Sequence, residues 1–219
     1  MPGDLNSWIG SLLADPELTR MGHAQGGADN NLGLGWLYYG LARLLRPATV
    51  VVIGSYRGFV PMVFGRALAD NGEGGQVHFV DPSMVDDFWK DAVRVDAYFA
   101  SHGLRNIRHH LATTQQFVAA PAFGELQSIG IVFIDGYHTE EQARFDYEAF
   151  HGRLSSNAIV LLHDSIRERT SRIYGADRAY VHTVKRFVDT LKRDPGLQVL
   201  DFPFGDGLTL VRSAALLAR

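Results

Sequence analysis

Two short segments carry residue types that do chemistry. Asp135-Gly136-Tyr137-His138 follows the apolar run Ile129–Ile134, and His163-Asp164-Ser165 follows the apolar run Ala158–Leu162. Runs of this kind read as strands buried on both faces. Side by side in one sheet, they would bring Asp135 and Asp164 to one cleft, where hard carboxylate oxygens suit Mg²⁺ or Ca²⁺. His138 lies just before a T-x-x-Q helix start, Thr139 with Gln142. With a reference pKa of about 6.5 it suits a general base beside that cleft. Each residue also has a plain structural use, since Asp caps helices and a lone His is commonly a satisfied core residue. The joint pattern favours function.

Three more strand ends bear on the same cleft. After TVVVI comes Gly54-Ser55-Tyr56-Arg57-Gly58, where glycines let the backbone approach a ligand or simply make a tight turn. The spacing is G-x-x-x-G, not the dinucleotide fingerprint G-x-G-x-x-G. After VHFV comes Asp81, able to accept from both hydroxyls of a ribose or to cap a helix. Together the Gly-rich turn and the second-strand acid favour a nucleoside. Thr113-Thr114-Gln115 follows NIRHHLA; these small polar groups would reach an adenine edge or cap the next helix.

The elements that must position these residues alternate. Helices are expected at Leu5–Leu13, in a second segment with Leu37, Leu41, Leu44 and Leu45 facing the core, and at Phe59–Leu68. Further helical faces are Val85, Phe88, Trp89, Ala92 and Val95, then Ala143, Tyr147 and Phe150, then Tyr180, Val184, Phe187, Val188 and Leu191. Strands alternating with helices imply an α/β fold with a mostly parallel sheet. The final runs, LQVLDF and GLTLVR, are too close for a crossover and must form a hairpin, so the last strand is antiparallel. In such sheets ligands bind beyond the carboxyl ends of the strands.

Composition sets the outer bounds. The chain has 219 residues, 46% hydrophobic and 21% charged, as ordinary globular domains do. Lys plus Arg is 21 against 24 Asp plus Glu, a net charge of −3 that gives no footprint for nucleic acid or an anionic membrane. There is no Cys, which excludes disulfides, thiolate nucleophiles and Cys-based zinc sites. The N-terminal segment does not read as a signal peptide and no apolar run approaches a membrane span, so a soluble, cytoplasmic protein is expected.

With these residues in view, Thr49 to Arg212 resembles the Rossmann-like S-adenosyl-L-methionine (SAM)-dependent methyltransferases. More narrowly it resembles the macrocin O-methyltransferase and cephalosporin-hydroxylase-like family, related to catechol O-methyltransferase. VVIGSYRG, FVDP and FIDGYHTEEQARFDYEAF…IVLLHDS carry the resemblance. It implies a seven-stranded, mostly parallel sheet with an antiparallel last strand and helices on both faces. It implies a SAM-dependent methyltransferase domain at 47–219; ahead of it a helical extension is expected at 1–46, whose Gly/Asn-rich stretch His23–Gly35 is long for a loop and reads either as a cover over substrate or as disorder.

The resemblance also implies a site. Gly54, Ser55, Tyr56, Arg57 and Gly58 would line the methionine part of SAM. Asp81 would hold the ribose, Thr113, Thr114 and Gln115 would lie near the adenine, and Asp135 would border the cofactor. Asp135, Asp164 and Ser165 would hold Mg²⁺ or a similar divalent cation, and His138 would be the base. The expected acceptor is a small molecule with a hydroxyl group, and the N-terminal extension suits a homodimer interface. The pattern departs from its relatives at Val52, where many carry an acid, at Ser165, where the catechol enzyme has Asn, and at Ser156-Asn157-Ala158, which replaces Pro-Gly-Gly. Two other readings are an NAD-dependent enzyme, disfavoured by the missing fingerprint, and a non-catalytic module, favoured by Val52 and Ser165. A nucleic-acid methyltransferase is disfavoured because acids intersperse the basic C-terminal region.

Overall fold

The computed structural model describes residues 3–20 and 22–215. Five strands run parallel: β1 (Thr49–Ile53), β2 (Gln76–Val80), β3 (Ile107–His110), β4 (Ile129–Ile134) and β5 (Leu154–His163). A hairpin of β8 (Leu197–Phe202) and β9 (Leu208–Ser213) completes the sheet, with β9 antiparallel to β5. The order is β3-β2-β1-β4-β5-β9-β8, and the seven-stranded, mostly parallel sheet with its antiparallel last strand is the one expected. Strand order reverses at β1 and β4, which opens a crevice beyond their carboxyl ends.

Alternation along the strands sorts the core into two layers. Val50, Val52, Ile131, Phe133 and Leu161 face one side; Val51, Ile53, Val132, Ile134 and Leu162 face the other. The first layer is covered by α1 (Leu5–Leu13), α2 (Gly35–Leu45), α3 (Phe59–Asn71) and α4 (Ala92–Ser101). The second is covered by α5 (Thr114–Val118), α6 (Pro121–Gly124), α7 (Glu140–His151) and α8 (Val184–Leu191). No helix among the described residues is long and apolar enough to cross a membrane.

Local differences from the sequence expectations have physical causes. In α2 the buried face is Gly35, Tyr38 and Ala42, while Leu44 is 76% exposed. Tyr38 takes the inward place because its ring packs on Phe64 and Phe133 and its hydroxyl meets His23. The segment Val85–Trp89 is not helical. Ser83 and Asp86 fold it into a turn, and α4 starts later, where Asp91 accepts from the N–H groups of Val93 and Arg94. Tyr180 belongs to a strand instead of α8. It lies in β7 (Tyr180–His182), which pairs with β6 (Arg169–Ser171) as a separate small antiparallel sheet.

Candidate active site

The carboxyl ends of β1, β2, β4 and β5 frame a cavity of about 970 Å³. Gly54, Ser55, Tyr56, Arg57, Asp81, Thr113, Thr114, Gln115, Asp135, His138 and Asp164 all line it. Two expected residues do not. Gly58 has φ +83 and caps α3, packed beneath Trp89 and Phe99, so its freedom serves the turn. Ser165 is fully buried and shares a hydrogen bond of 2.7 Å with the hydroxyl of Thr209.

One half of the cavity is a cradle. Gly54 has φ +69, and a Cβ there would run into the backbone of Asp135, so β1 and β4 approach closely only because the residue is glycine. Asp81 accepts from the N–H of Ser83 at 2.7 Å and of Ser55 at 3.4 Å. Burial, outweighing those bonds, pushes its carboxyl up to about 6. Arg57 is paired with Asp86 at 2.6 Å and lies over the Tyr56 ring. Thr113 caps α5 in a reciprocal box with Gln116 while lining the cavity. Thr114 and Gln142 flank the buried Asp146, whose carboxyl burial raises to about 6. Val52, by contrast, is a fully buried core residue.

The other half is dense in imidazole and carboxylate. His163 Nδ1 lies 2.9 Å from Asp135 Oδ1. Burial opposes a charge on His163, but Asp135, by charge and hydrogen bond, raises it to about 9. Burial would likewise raise Asp135, yet the His163 cation holds it below the usual carboxylate range. Beneath them His23, fully buried, bonds Tyr38 at 3.0 Å and is driven down to about 3 by burial. The stretch expected to cover substrate thus sends His23, Leu32 and Leu34 into the core.

His138 Nε2 stands 3.5 Å from Asp135 and 3.9 Å from Asp164. Burial pushes it down to about 4 despite both carboxylates, so it is neutral at neutral pH. Asp164 has φ +51 and is held well below its ordinary value: burial opposes ionisation, but His182, His163, His138 and Arg169 surround the carboxylate.

The sequence reading missed His182 and the tyrosines. Thr183 N–H donates to the carbonyl of His138, and Thr183 Oγ1 accepts from the N–H of Glu140, so the end of β7 is stapled to the start of α7. His182 therefore stacks on His138 with centroids 4.2 Å apart. Tyr137 and Tyr180 stack at 4.3 Å, with Tyr174 alongside, and all three line the cavity. Two three-residue strands of mixed polarity give little periodic signal, though a His placed two residues before an apolar helix face was visible.

Fold and site define a Rossmann-like α/β protein with its ligand cavity at the sheet's switch point. The family model described as "Methyltransferase domain" matches residues 51–165, just over half of the chain, and the chain belongs to that family. A curated relative, the uncharacterized protein y4gI of Sinorhizobium fredii, is 28% identical over 144 residues, 61% of this chain. The chain spans 15% of that relative's length. Among solved structures, an O-methyltransferase from Bacillus cereus in complex with SAH has a TM-score of 0.68 at 13% identity, covering 97% of this chain and 92% of its own. The O-methyltransferase TomG from Streptomyces achromogenes, in complex with SAM, has a TM-score of 0.60 at 15% identity, covering 96% and 90%. A Corynebacterium glutamicum protein has a TM-score of 0.66 at 18% identity, covering 95% and 90%. At these identities the likeness is one of fold.

Proposed function

We propose that this chain transfers the methyl group of SAM to a hydroxyl oxygen of a small-molecule acceptor. The observation that carries this reading is that the Gly54 turn, Asp81 and the Thr113–Gln115 corner share one cavity with His138 and the stacked tyrosines. The SAM and SAH complexes of the similarly folded O-methyltransferases support the cofactor and the oxygen acceptor.

The cradle suits the cofactor: the Gly54–Arg57 turn would hold the amino-acid part, Asp81 the ribose hydroxyls, and Thr113–Gln115 the adenine. Bound there, SAM supplies an electrophilic sulfonium methyl. His138, neutral and lining the cavity, takes the proton of the acceptor hydroxyl as that oxygen takes the methyl and the methyl–sulfur bond breaks, leaving S-adenosylhomocysteine (SAH). Asp135 and Asp164 flank the imidazole and stabilise the cation that forms. Holding acceptor and donor in line is worth up to about 7–11 kcal/mol in favourable model reactions.

A magnesium ion on Asp135, Asp164 and Ser165 does not fit these residues. Asp135 is engaged by His163, and Ser165 faces Thr209. No step is assigned to it.

A thermal-shift comparison of SAM, SAH and NAD⁺ tests the reading. A ligand at 100 times its Kd adds about 2.7 kcal/mol, or roughly 5–10 °C for a chain of this size. The expected result is a shift with SAM and SAH and none with NAD⁺, followed by methyl transfer in a screen of hydroxylated acceptors. Silence from SAM and SAH at millimolar concentration overturns it.

A further inference from the structure

We propose that His138, Asp164 and His182 bind one borderline transition-metal dication, such as Zn²⁺ or Co²⁺, in preference to Mg²⁺. The inference stands on side-chain geometry and is independent of the methyltransferase reading.

His182 is 2% exposed, and among the described residues neither of its ring nitrogens meets a partner in hydrogen-bond geometry. Buried polar groups are normally satisfied, and an orphaned imidazole asks for an explanation. Its Nδ1 sits 3.1 Å from Asp164 Oδ2, close enough for the two atoms to share one ion. His138 supplies the third atom, with Nε2 3.9 Å from the same oxygen. One ligand atom from each residue lies within 4.8 Å of the others. Zinc bonds nitrogen and oxygen at about 2.0–2.2 Å, so small rotations of the two imidazoles close the set.

The surroundings are those of a metal site. Arg169 donates to the same oxygen, Asp164 Oδ2, at 2.6 Å and fixes the carboxylate, while the Thr183 staple fixes the spacing of the two histidines. All three residues line the cavity, so an ion held by three protein ligands keeps a position open toward it. Two nitrogen donors and one oxygen suit Zn²⁺, Co²⁺ or Fe²⁺, whereas Mg²⁺ prefers oxygen ligands in an octahedron. With the ion bound, the Nε2 lone pair of His138 is a ligand and is withheld from proton acceptance. The loaded and the proton-accepting forms of His138 therefore exclude one another.

The test uses the full chain stripped with a chelator. Zn²⁺ and Mg²⁺ are titrated by calorimetry, and Co²⁺ by its visible ligand-field absorption. One Zn²⁺ per chain is expected, with Mg²⁺ weaker by about 100-fold or more given the nitrogen donors. His182→Ala should lower Zn²⁺ affinity at least about tenfold and abolish the Co²⁺ bands, since even outer partners of such ligands are worth about 10–100-fold. His182→Gln, closer in size, is the second variant should the first not fold. His110→Ala should change neither readout; it removes half of the separate His78–His110 pair, whose nitrogens are 3.1 Å apart. The proposal is overturned by no stoichiometric Zn²⁺ binding, by Mg²⁺ binding as tightly, or by unchanged Zn²⁺ affinity in the folded His182 variant. SAH-induced shifts on the same samples separate its failure from that of the methyltransferase reading.

Discussion

Arg169 stands opposite His182 across the β6–β7 pair, and both side chains end on the same oxygen, Asp164 Oδ2, at 2.6 and 3.1 Å. The small sheet thus has a chemical consequence out of proportion to its length. Its register delivers a cation and an imidazole to the carboxylate at the end of β5. Asp164 meets them from a left-handed backbone conformation, φ +51, which Asp tolerates better than most residues.

His138 is the group most exposed to test. It is neutral, faces the cavity and lies between two carboxylates. His138→Ala is expected to lower turnover by about 10²–10⁴-fold, the usual range for a general base. SAH affinity should stay within about twofold, because the cradle residues lie across the cavity. Parallel steady-state kinetics and calorimetry check this, and equal losses in both would remove the base assignment.

Asp81 predicts a pH dependence of cofactor binding. Burial, with Asp135 and Asp86 nearby, raises its carboxyl to about 6, while the N–H groups of Ser83 and Ser55 act against the rise. Asp86 is itself paired with Arg57, and Tyr174 faces Asp81 across the cavity. The ionised form accepts from ribose hydroxyls, so SAH affinity should be level above about pH 6.5 and fall toward tenfold per unit below about pH 6. The sign for folding is opposite. Unliganded protein holds the proton to higher pH than the unfolded chain, so this group's contribution to stability is lost as pH rises from about 4 to 6. Asp81→Asn should weaken SAH binding and flatten its pH profile; a profile of unchanged slope would contradict the assignment.

What the sequence made legible follows from how strongly each position is determined. β1, β4 and β5 announce themselves because a strand buried on both faces must be a continuous apolar run, and their ends then locate Gly54, Asp135 and Asp164. Residues that reach the cavity from irregular segments carry no such pattern. His23 sits in a Gly/Asn-rich stretch without periodicity, yet tertiary packing buries it completely. His182 is hidden because Tyr180 has helical spacing to Val184, which extends the apparent α8 over β7. Ser165 follows Asp164 in sequence, but both lie past the end of β5, and after the left-handed turn at Asp164 the Ser165 hydroxyl goes to Thr209.

Gly54 ties the fold to the cradle. Gly54→Ala would place a Cβ against the Asp135 backbone at φ +69, where an L side chain is already strained. Backbone cannot give way as a flexible side chain does, so the carboxyl ends of β1 and β4 must part. A loss of SAH binding greater than tenfold is expected, with a stability loss of about 1–3 kcal/mol from the strained conformation alone. Calorimetric titration and urea unfolding measure the two. Wild-type values for both would mean that this turn is looser than the geometry shows.

The Asp135–His163 pair is expected to be the most stability-critical polar contact of the site. Both side chains are largely buried, at 12% and 6% exposure, and their atoms are 2.9 Å apart. Breaking one partner of such a pair strands the other charge in a poorly solvated place, which typically removes about 3–5 kcal/mol. For a chain of this size that is roughly 6–20 °C in melting temperature. His163→Ala is therefore expected to be more damaging than its lost packing alone, because His23, the next imidazole, is neutral and 3.8 Å from Asp135 and cannot replace the cation. The pairwise share is isolated by a double-mutant cycle with Asp135→Ala. The double variant should be more stable than the sum of the single losses predicts. Additive losses would show that the two side chains act independently and that His163 is a packing residue, not the counter-ion of Asp135.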